Sequence, residues 1–228
     1  MASSQSRAAP ADGLDRDHRG DLKPWVYNTI RYGALPWFRI VFRLRVHGVE
    51  NVPRVGGALI ASTHRSNFDA FLLGLPLRGR YLRFMAKAEL YRGPLGFVLR
   101  GAGAFRVDRG RGDAVAVRRA IDLARSGELV AIYPEGTRNR GGERTKIHSG
   151  AARIALEAGV PMIPVAVIGT DTVRLFPPRL PRFEAAFGPA IDISDLGDLE
   201  LRWAARRLTE RWQQAVAELR ASLERPQP

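Results

Sequence analysis

Three short apolar runs, each followed by a polar turn, constrain the fold of this chain more than any other feature. They are Ala58-Leu-Ile-Ala-Ser62, Leu129-Val-Ala-Ile-Tyr133 and Met162-Ile-Pro-Val-Ala-Val-Ile168. Continuous apolar runs of this length are typical of strands that are buried on both faces. Helical patterns lie between them, and this alternation indicates parallel strands that are connected through helices. The sequence therefore predicts an α/β fold, a single domain with a mostly parallel central sheet flanked by helices.

Weaker patterns supply the other expected elements. Further strands are predicted at 44–50, 81–86 and 104–107, with a possible edge strand at 183–187. Helices are predicted at 67–74, 113–127, 149–159 and 201–223. The last of these has an apolar stripe on one side and Arg202, Arg206 and Arg207 on the other, which is typical of a helix that covers a sheet.

The N-terminal part divides into two segments that differ from the domain at 46–228. Residues 1–22 hold no continuous apolar stretch, so we expect a disordered arm and neither a signal peptide nor a membrane span. Residues 23–45 are dense in aromatic side chains and arginines, with Arg39 and Arg43 spaced to share one stripe of a helix. This composition predicts a helix in the membrane interface, too short in apolar sequence to cross. The alternative is a helix that packs on the domain's own core.

The charge and cysteine content restrict the classes of partner and of chemistry. A net charge of +13 favours an anionic partner, which can be nucleic acid, anionic lipid or a phosphorylated substrate. Charge alone does not choose among the three. The chain has no Cys, which excludes disulfides, thiolate zinc sites and a cysteine nucleophile. The four histidines are scattered and form no cluster at metal-ligand spacing, so no metal site is predicted.

A histidine and an aspartate follow the first buried strand. His64 lies at the expected strand-to-helix turn, and open α/β sheets bind ligands at the carboxyl ends of their strands. An imidazole can take a proton from an alcohol near neutral pH if a carboxylate fixes its tautomer, and Asp69 is placed to do so. The alternative is a histidine that only caps the turn by hydrogen bonding. The spacing by itself does not distinguish the two.

Two other strand ends carry arginines. Asp108-Arg109 follows one predicted strand, and Glu135-Gly-Thr-Arg138 follows another. If the sheet brings these ends to His64, the site holds a base, an orienting acid and two guanidinium groups. Arg binds phosphate through a planar fork, so the set suits acyl transfer to the hydroxyl of a phosphate-bearing alcohol. The alternative for each arginine taken alone is a solvated surface charge.

Four segments resemble, in order, the sequence blocks of the glycerolipid acyltransferases, the 1-acylglycerol-3-phosphate acyltransferase group. His64-Arg-Ser-Asn-Phe-Asp69 resembles the HxxxxD box, and Gly103-Ala-Phe-Arg-Val-Asp-Arg109 the second block. Tyr133-Pro-Glu-Gly-Thr-Arg138 resembles the Pro-Glu-Gly-Thr-Arg block, and Val160-Pro-Met-Ile-Pro-Val165 the fourth. The resemblance covers residues 44–168, and four ordered blocks are far more specific than any one of them.

The resemblance implies a role for each matching residue. His64 is expected to act as general base, and Asp69 to orient it. The residues expected to bind the acceptor are Lys87, Arg109 and Arg138 at its phosphate, and Glu135, Gly136 and Thr137 around its pocket. The implied reaction transfers a fatty acyl group from acyl-CoA or acyl-carrier protein to lysophosphatidic acid, giving phosphatidic acid. It needs no cofactor and no covalent acyl-enzyme.

The resemblance also implies partners and a location. We expect an acyl thioester donor, a phosphorylated lipid acceptor and an anionic membrane surface as partners, and no nucleic acid. The expected location is the cytoplasmic face of the cell membrane, with peripheral or monotopic attachment. Two alternatives stay open: an acyltransferase for glycerol 3-phosphate, a lysophospholipid or a glycolipid, and a non-catalytic basic module that binds anionic lipid or nucleic acid.

Overall fold

A seven-stranded sheet forms the centre of the fold. The computed structural model describes residues 22–107, 113–136, 147–173 and 180–225, and the predicted arm at 1–22 falls almost entirely outside them. The strands are β1 (Arg45–His47), β2 (Ala58–Ser62), β3 (Leu82–Lys87), β4 (Ala104–Val107), β5 (Leu129–Ile132), β6 (Met162–Ile168) and β7 (Glu184–Phe187). The helices are α1 (Pro24–Val41), α2 (Asp69–Gly74), α3 (Gly93–Gly101), α4 (Asp113–Arg125), α5 (Gly150–Ala158) and α6 (Leu201–Glu224).

The sheet is mostly parallel, as the alternation of strands and helices predicts. Its strand order is β1-β7-β6-β2-β5-β3-β4, and the β6–β7 pair is antiparallel while the other pairs are parallel. Because β2 to β6 all run in the same direction, their carboxyl ends lie along one edge of the sheet. The central strand β2 therefore brings His64 between the ends of β5 and β6.

The prediction of an edge strand at 183–187 is wrong. Strand β7 pairs with β6 on one side and with β1 on the other, and all four of its residues are buried. The three-residue strand β1 forms the outer edge instead. The predicted strand at 44–50 is shortened because Gly48 enters the left-handed region and a 3₁₀ turn, Val49–Asn51, follows it. The side chain of Asn51 then donates a hydrogen bond to the Phe187 carbonyl, which joins this turn to the end of β7.

Helices cover both faces of the sheet and form two hydrophobic cores. On one face, α4, α5 and α6 pack over inward-facing residues of the strands, with Trp212 of α6 almost fully buried. The indole N–H of Trp212 donates to the Ala61 carbonyl at 2.9 Å, so this helix also contacts the backbone of β2. The opposite face is covered by α1 and α2.

An aromatic cluster fills the second core beside α2. Phe42 stacks on Phe183 with ring centroids 4.1 Å apart. Phe38, near the end of α1, lies with its centroid 6.0 Å from that of Phe68 and 5.5 Å from that of Phe71. Since Phe68 and Phe71 flank Asp69 in the sequence, this cluster joins α1 to the helix that begins at Asp69.

Helix α1 shares properties of both interpretations of residues 23–45. One of its faces packs on the domain, and its buried residues are Val26, Tyr27, Arg31 and Phe38. The other face exposes Trp25, Tyr32, Trp37 and Ile40. The predicted stripe of Arg39 and Arg43 is wrong, because α1 ends at Val41 and Arg43 adopts a left-handed φ of 47°.

Candidate active site

The turn after β2 brings His64 and Asp69 together. Asp69 is the first residue of α2 and is fully buried, whereas about a fifth of the His64 side chain is exposed. Nδ1 of His64 lies 2.9 Å from Oδ2 of Asp69. An ionised carboxylate only accepts hydrogen bonds, so Nδ1 carries the proton of the neutral imidazole. Nε2 is then the ring nitrogen that can accept a proton from a substrate.

Four donors converge on the Asp69 carboxylate. Oδ2 also accepts the backbone N–H groups of Arg65 at 2.7 Å and Ser66 at 2.8 Å. Oδ1 accepts the hydroxyl of Thr170 at 2.7 Å. Hydrogen bonds to a carboxylate favour its charged form, which is the form that stabilises an imidazolium beside it. The turn therefore holds the pair in the arrangement that general-base chemistry requires.

Tyr133, directly after β5, covers one face of the His64 imidazole ring. The two rings stack with centroids 3.9 Å apart and an angle of 18° between their planes. Burial raises the pKa of the Tyr133 phenol well above its usual range, and the charge of Asp69 raises it further. Its hydroxyl is buried and has no hydrogen-bond partner among the described residues. Tyr133 therefore stays neutral and contributes a flat surface rather than an acid or base.

Glu135 places a carboxyl group beside the same turn. Burial raises the pKa of Glu135, while the backbone N–H of His64 and the charge of Arg65 lower it in part. Within the described part of the chain, its buried Oε2 atom has no hydrogen-bond partner. A buried polar atom without a partner is costly, so this oxygen is suited to a substrate hydroxyl. Gly136 next to it has a φ of +67°, a conformation that glycine adopts without strain.

The structure places five of the eight predicted site residues and brings four of them together. His64 and Asp69 lie after β2, and Glu135 and Gly136 lie after the neighbouring strand β5. Lys87 is exposed at the carboxyl end of β3, which is two strand spacings, or about 10 Å, from β2. The other predicted residues, which are Arg109, Thr137 and Arg138, lie outside the described residues.

Two residues of the site were missed by the sequence reasoning. Tyr133 was assigned only to the end of a strand, because periodicity does not reveal stacking between side chains of different strands. Thr170 follows β6, the other neighbour of β2. The rule that identified His64, a polar residue just after a buried parallel strand, would also have identified Thr170. Among the residues that the structure describes, no group of three or more His, Cys, Asp or Glu side chains is arranged to hold a metal ion.

A sequence model of the acyltransferase family matches residues 43–168, which is more than half of the chain. The chain belongs to the acyltransferase family. It is therefore an enzyme, and the interpretation as a non-catalytic binding module does not hold. The matched residues contain all four blocks whose resemblance to glycerolipid acyltransferases is described above, together with His64 and Asp69.

Relatives of this acyltransferase share its sequence to different extents. The 1-acyl-sn-glycerol-3-phosphate acyltransferase of Bacillus subtilis is 30% identical over 183 residues, which cover 79% of this chain and 90% of the relative. The human 1-acyl-sn-glycerol-3-phosphate acyltransferase alpha is 30% identical over 128 residues, 55% of this chain but only 45% of the relative. The chain thus spans almost the whole Bacillus protein and less than half of the human one.

A solved structure has the same fold as this acyltransferase. The 1-acyl-sn-glycerophosphate (LPA) acyltransferase PlsC of Thermotoga maritima superposes with a TM-score of 0.65, covering 86% of this chain and 81% of that one at 24% identity. This likeness confirms the α/β fold with its mostly parallel sheet. At this level of identity it carries no conclusion about substrates.

Proposed function

We propose that this acyltransferase transfers a fatty acyl group from acyl-CoA or acyl-carrier protein to the free hydroxyl of lysophosphatidic acid, giving phosphatidic acid for phospholipid biosynthesis. The observation that carries the proposal is the hydrogen bond between Nδ1 of His64 and the buried carboxylate of Asp69, which leaves Nε2 for an acceptor hydroxyl. Relatives named as acyltransferases for 1-acyl-sn-glycerol 3-phosphate support the choice of acceptor.

The proposed reaction takes place in one addition and one elimination. Nε2 of His64 removes the proton from the acceptor hydroxyl while its oxygen forms a bond to the thioester carbonyl carbon. Asp69 stabilises the resulting imidazolium through the hydrogen bond at Nδ1. The carbon–sulfur bond then breaks, and the imidazolium returns the proton to the leaving thiolate. The acyl group passes directly to the acceptor, so the step uses no nucleophile of the protein and no cofactor.

The acceptor's polar groups are assigned to the same edge of the sheet. Lys87 is exposed at the end of β3, and a cation there suits the acceptor's phosphate. By their position in the sequence, Arg109 follows β4 and Arg138 follows Gly136, and both are assigned to the phosphate as well. Oε2 of Glu135, which is buried and without a partner among the described residues, is assigned to a hydroxyl of the glycerol backbone. Gly136 and Thr137 are assigned to the adjoining wall of the pocket.

An acceptor panel tests the proposal. Purified protein is given acyl-CoA or acyl-carrier protein together with lysophosphatidic acid, glycerol 3-phosphate, a lysophospholipid with a larger headgroup, or a monoacylated glycolipid, and release of free thiol is followed. We expect lysophosphatidic acid to give a kcat/KM at least about tenfold above every other acceptor, because each of the others lacks either its acyl chain or its phosphate monoester, and a site built for both groups discriminates against the absence of either. A higher value for another acceptor would establish the alternative within the same enzyme class. Turnover with none of them would overturn the proposal.

We also propose that the protein works on an anionic membrane surface, at the cytoplasmic face of the cell membrane, through the exposed face of α1. No helix in the described ranges has the length and apolar character needed to cross a bilayer. Tyr32 and Ile40 of α1 are exposed by 71% and 78%, and Phe71 of α2, whose ring stacks on that of Phe38 of α1, is exposed by 40%. Aromatic and aliphatic side chains on a helix in a protein of net charge +13 suit the interface of an anionic bilayer. No nucleic acid has a role in this proposal.

Vesicle flotation tests the membrane proposal with a matched control. The paired substitutions Tyr32→Ser and Ile40→Ser should lower the fraction bound to vesicles that contain an anionic phospholipid, because they remove apolar area from the interface. The control pair is Val115→Ser and Trp203→Ser on α4 and α6, which are also exposed but lie on the opposite face of the sheet. The control should bind like the unaltered protein, and an equal loss in both variants would refute α1 as the docking face.

A further inference from the structure

The segment after β6 contacts the catalytic turn at several points, although it lies just beyond the residues matched by the family model. Thr170, which is almost fully buried, donates its hydroxyl hydrogen to Oδ1 of Asp69 at 2.7 Å. This is the one hydrogen bond found for Oδ1 among the described residues, since the other three donors bind Oδ2. Without it, one oxygen of a buried carboxylate would have no donor.

Two more contacts, one from this segment and one from β6 itself, reach the residues on either side of His64. The side chain of Arg65 forms an ion pair with Asp171 at 2.9 Å. The backbone N–H of Val167 donates to the hydroxyl of Thr63 at 3.3 Å. The ion pair is partly exposed and exposed pairs contribute little, so the buried bond from Thr170 is the dominant contact. This segment and the end of β6 therefore fix both neighbours of His64 as well as its carboxylate partner.

The turn that carries Thr170 is itself rigidly built. Gly169 has a φ of +88°, and a Cβ atom there would lie 2.0 Å from the Arg182 carbonyl oxygen, so only glycine fits. The Thr172 hydroxyl donates to the Gly169 carbonyl at 3.0 Å and closes the turn. A closed turn in a fixed backbone can hold a hydroxyl at one position over a carboxylate, which is what the orientation of Asp69 requires.

We propose that Thr170 is a positioning residue of the reaction: its hydroxyl fixes the Asp69 carboxylate, and through it the His64 imidazole, in the orientation in which Nε2 accepts the proton. This inference rests on the proposed role of His64 and Asp69 and adds the group that holds them. Thr170 is only 2% exposed, so it does not touch the acceptor or the acyl donor. Its loss should therefore act on kcat and leave the KM of the acceptor unchanged.

The pH dependence separates positioning from a purely structural role. Removing a neutral donor leaves the negative charge of Asp69 less well stabilised, so that charge favours the imidazolium form of His64 more strongly. The acidic limb of the kcat/KM profile should then move to higher pH. Among the described residues, the other titratable and charged groups found beside His64 are Tyr133 and Glu135 after β5 and the Arg65–Asp171 pair, and a substitution at Thr170 alters none of them.

The test uses the full chain with the acceptor that gives the highest turnover in the panel. Thr170→Val, which keeps the shape but removes the hydroxyl, should lower kcat about tenfold to hundredfold and shift the acidic limb upward. Thr170→Ser, which keeps the hydroxyl, should restore both kcat and the pH profile. Thr209→Val is the matched control, because Thr209 is also buried but its hydroxyl donates to the Ala205 carbonyl within α6. It should keep the unaltered kcat and profile.

Contrary results are equally clear. If Thr170→Val keeps the unaltered kcat and pH profile, or raises the acceptor's KM alone, the proposal is wrong. An equal loss in Thr170→Ser, without a shift of the acidic limb, would show a packing role only. If Thr170→Val does not fold, Thr170→Ala removes the hydroxyl without placing a methyl group against the carboxylate, and the same shift is expected. Absence of turnover in the unaltered protein would instead reject the proposed function, so the two failures are distinguishable.

Discussion

Replacing His64 with Ala should lower kcat by about 10⁴-fold, because the proposed reaction then loses the group that removes the proton from the acceptor hydroxyl. Neither of the two described residues beside the imidazole, Tyr133 and Glu135, is placed to take over this role. Tyr133 is held neutral by burial, and Glu135 lies after a different strand, β5. The measurement is the initial rate of thiol release at saturating donor and acceptor, compared with the unaltered protein.

The fold should survive the loss of His64. The imidazole is partly exposed, and Asp69 keeps three of its four donors when it is removed. Far-UV circular dichroism and a thermal melt check this. His47→Ala serves as the control, because His47 lies on β1, at the far edge of the sheet from the site, and should keep the unaltered rate. Substantial turnover in folded His64→Ala protein would exclude His64 as the base.

Replacing Asp69 with Asn should lower kcat about 10²- to 10⁴-fold, which is less than the loss for His64→Ala. The Asn side-chain oxygen can still accept the three hydrogen bonds at the Oδ2 position, and its amide can donate to the Thr170 hydroxyl in place of accepting from it. The geometry is thus retained while the negative charge is lost. Without that charge the imidazolium is less stable, so the acidic limb of the kcat/KM profile should move to lower pH.

Comparison of the two pH shifts makes the Asp69 result specific. Asp69→Asn and Thr170→Val act on the same carboxylate but are expected to move the acidic limb in opposite directions. Asp171→Asn is the control, since it removes a carboxylate that pairs with Arg65 and does not contact His64. A limb that stays in place in Asp69→Asn, with kcat near that of the unaltered protein, would show that the carboxylate only supports the turn.

The central strands were predictable because a strand that is buried on both faces consists of consecutive apolar residues. The bounds of β2, β4 and β6 agree with the predicted runs, and parallel pairing followed from the helices between them. The position of β7 was not predictable in the same way. A strand of four residues shows whether it is buried but not which neighbours it pairs with, and its pairing depends on contacts distant in the sequence.

The site was predictable only to the extent that its chemistry lies in short motifs. His64 and Asp69 are five residues apart, so one turn brings them together, and their contact can be expected from the local sequence alone. Thr170 contacts Asp69 although the two are 101 positions apart, and Tyr133 and His64, which stack, follow two neighbouring strands of the sheet. Such contacts follow from strand order, which the sequence of strands along the chain does not determine by itself.

The rings of Phe38, Phe68 and Phe71 have a consequence for how rates should be compared. The helix proposed to rest among lipid headgroups and the turn that bears Asp69 are in contact through these side chains. We therefore expect a tilt of α1 in a bilayer to reach the backbone beside Asp69 through these rings. The turnover number should therefore differ between detergent micelles and lamellar lipid, and a value measured in one should not be used for the other.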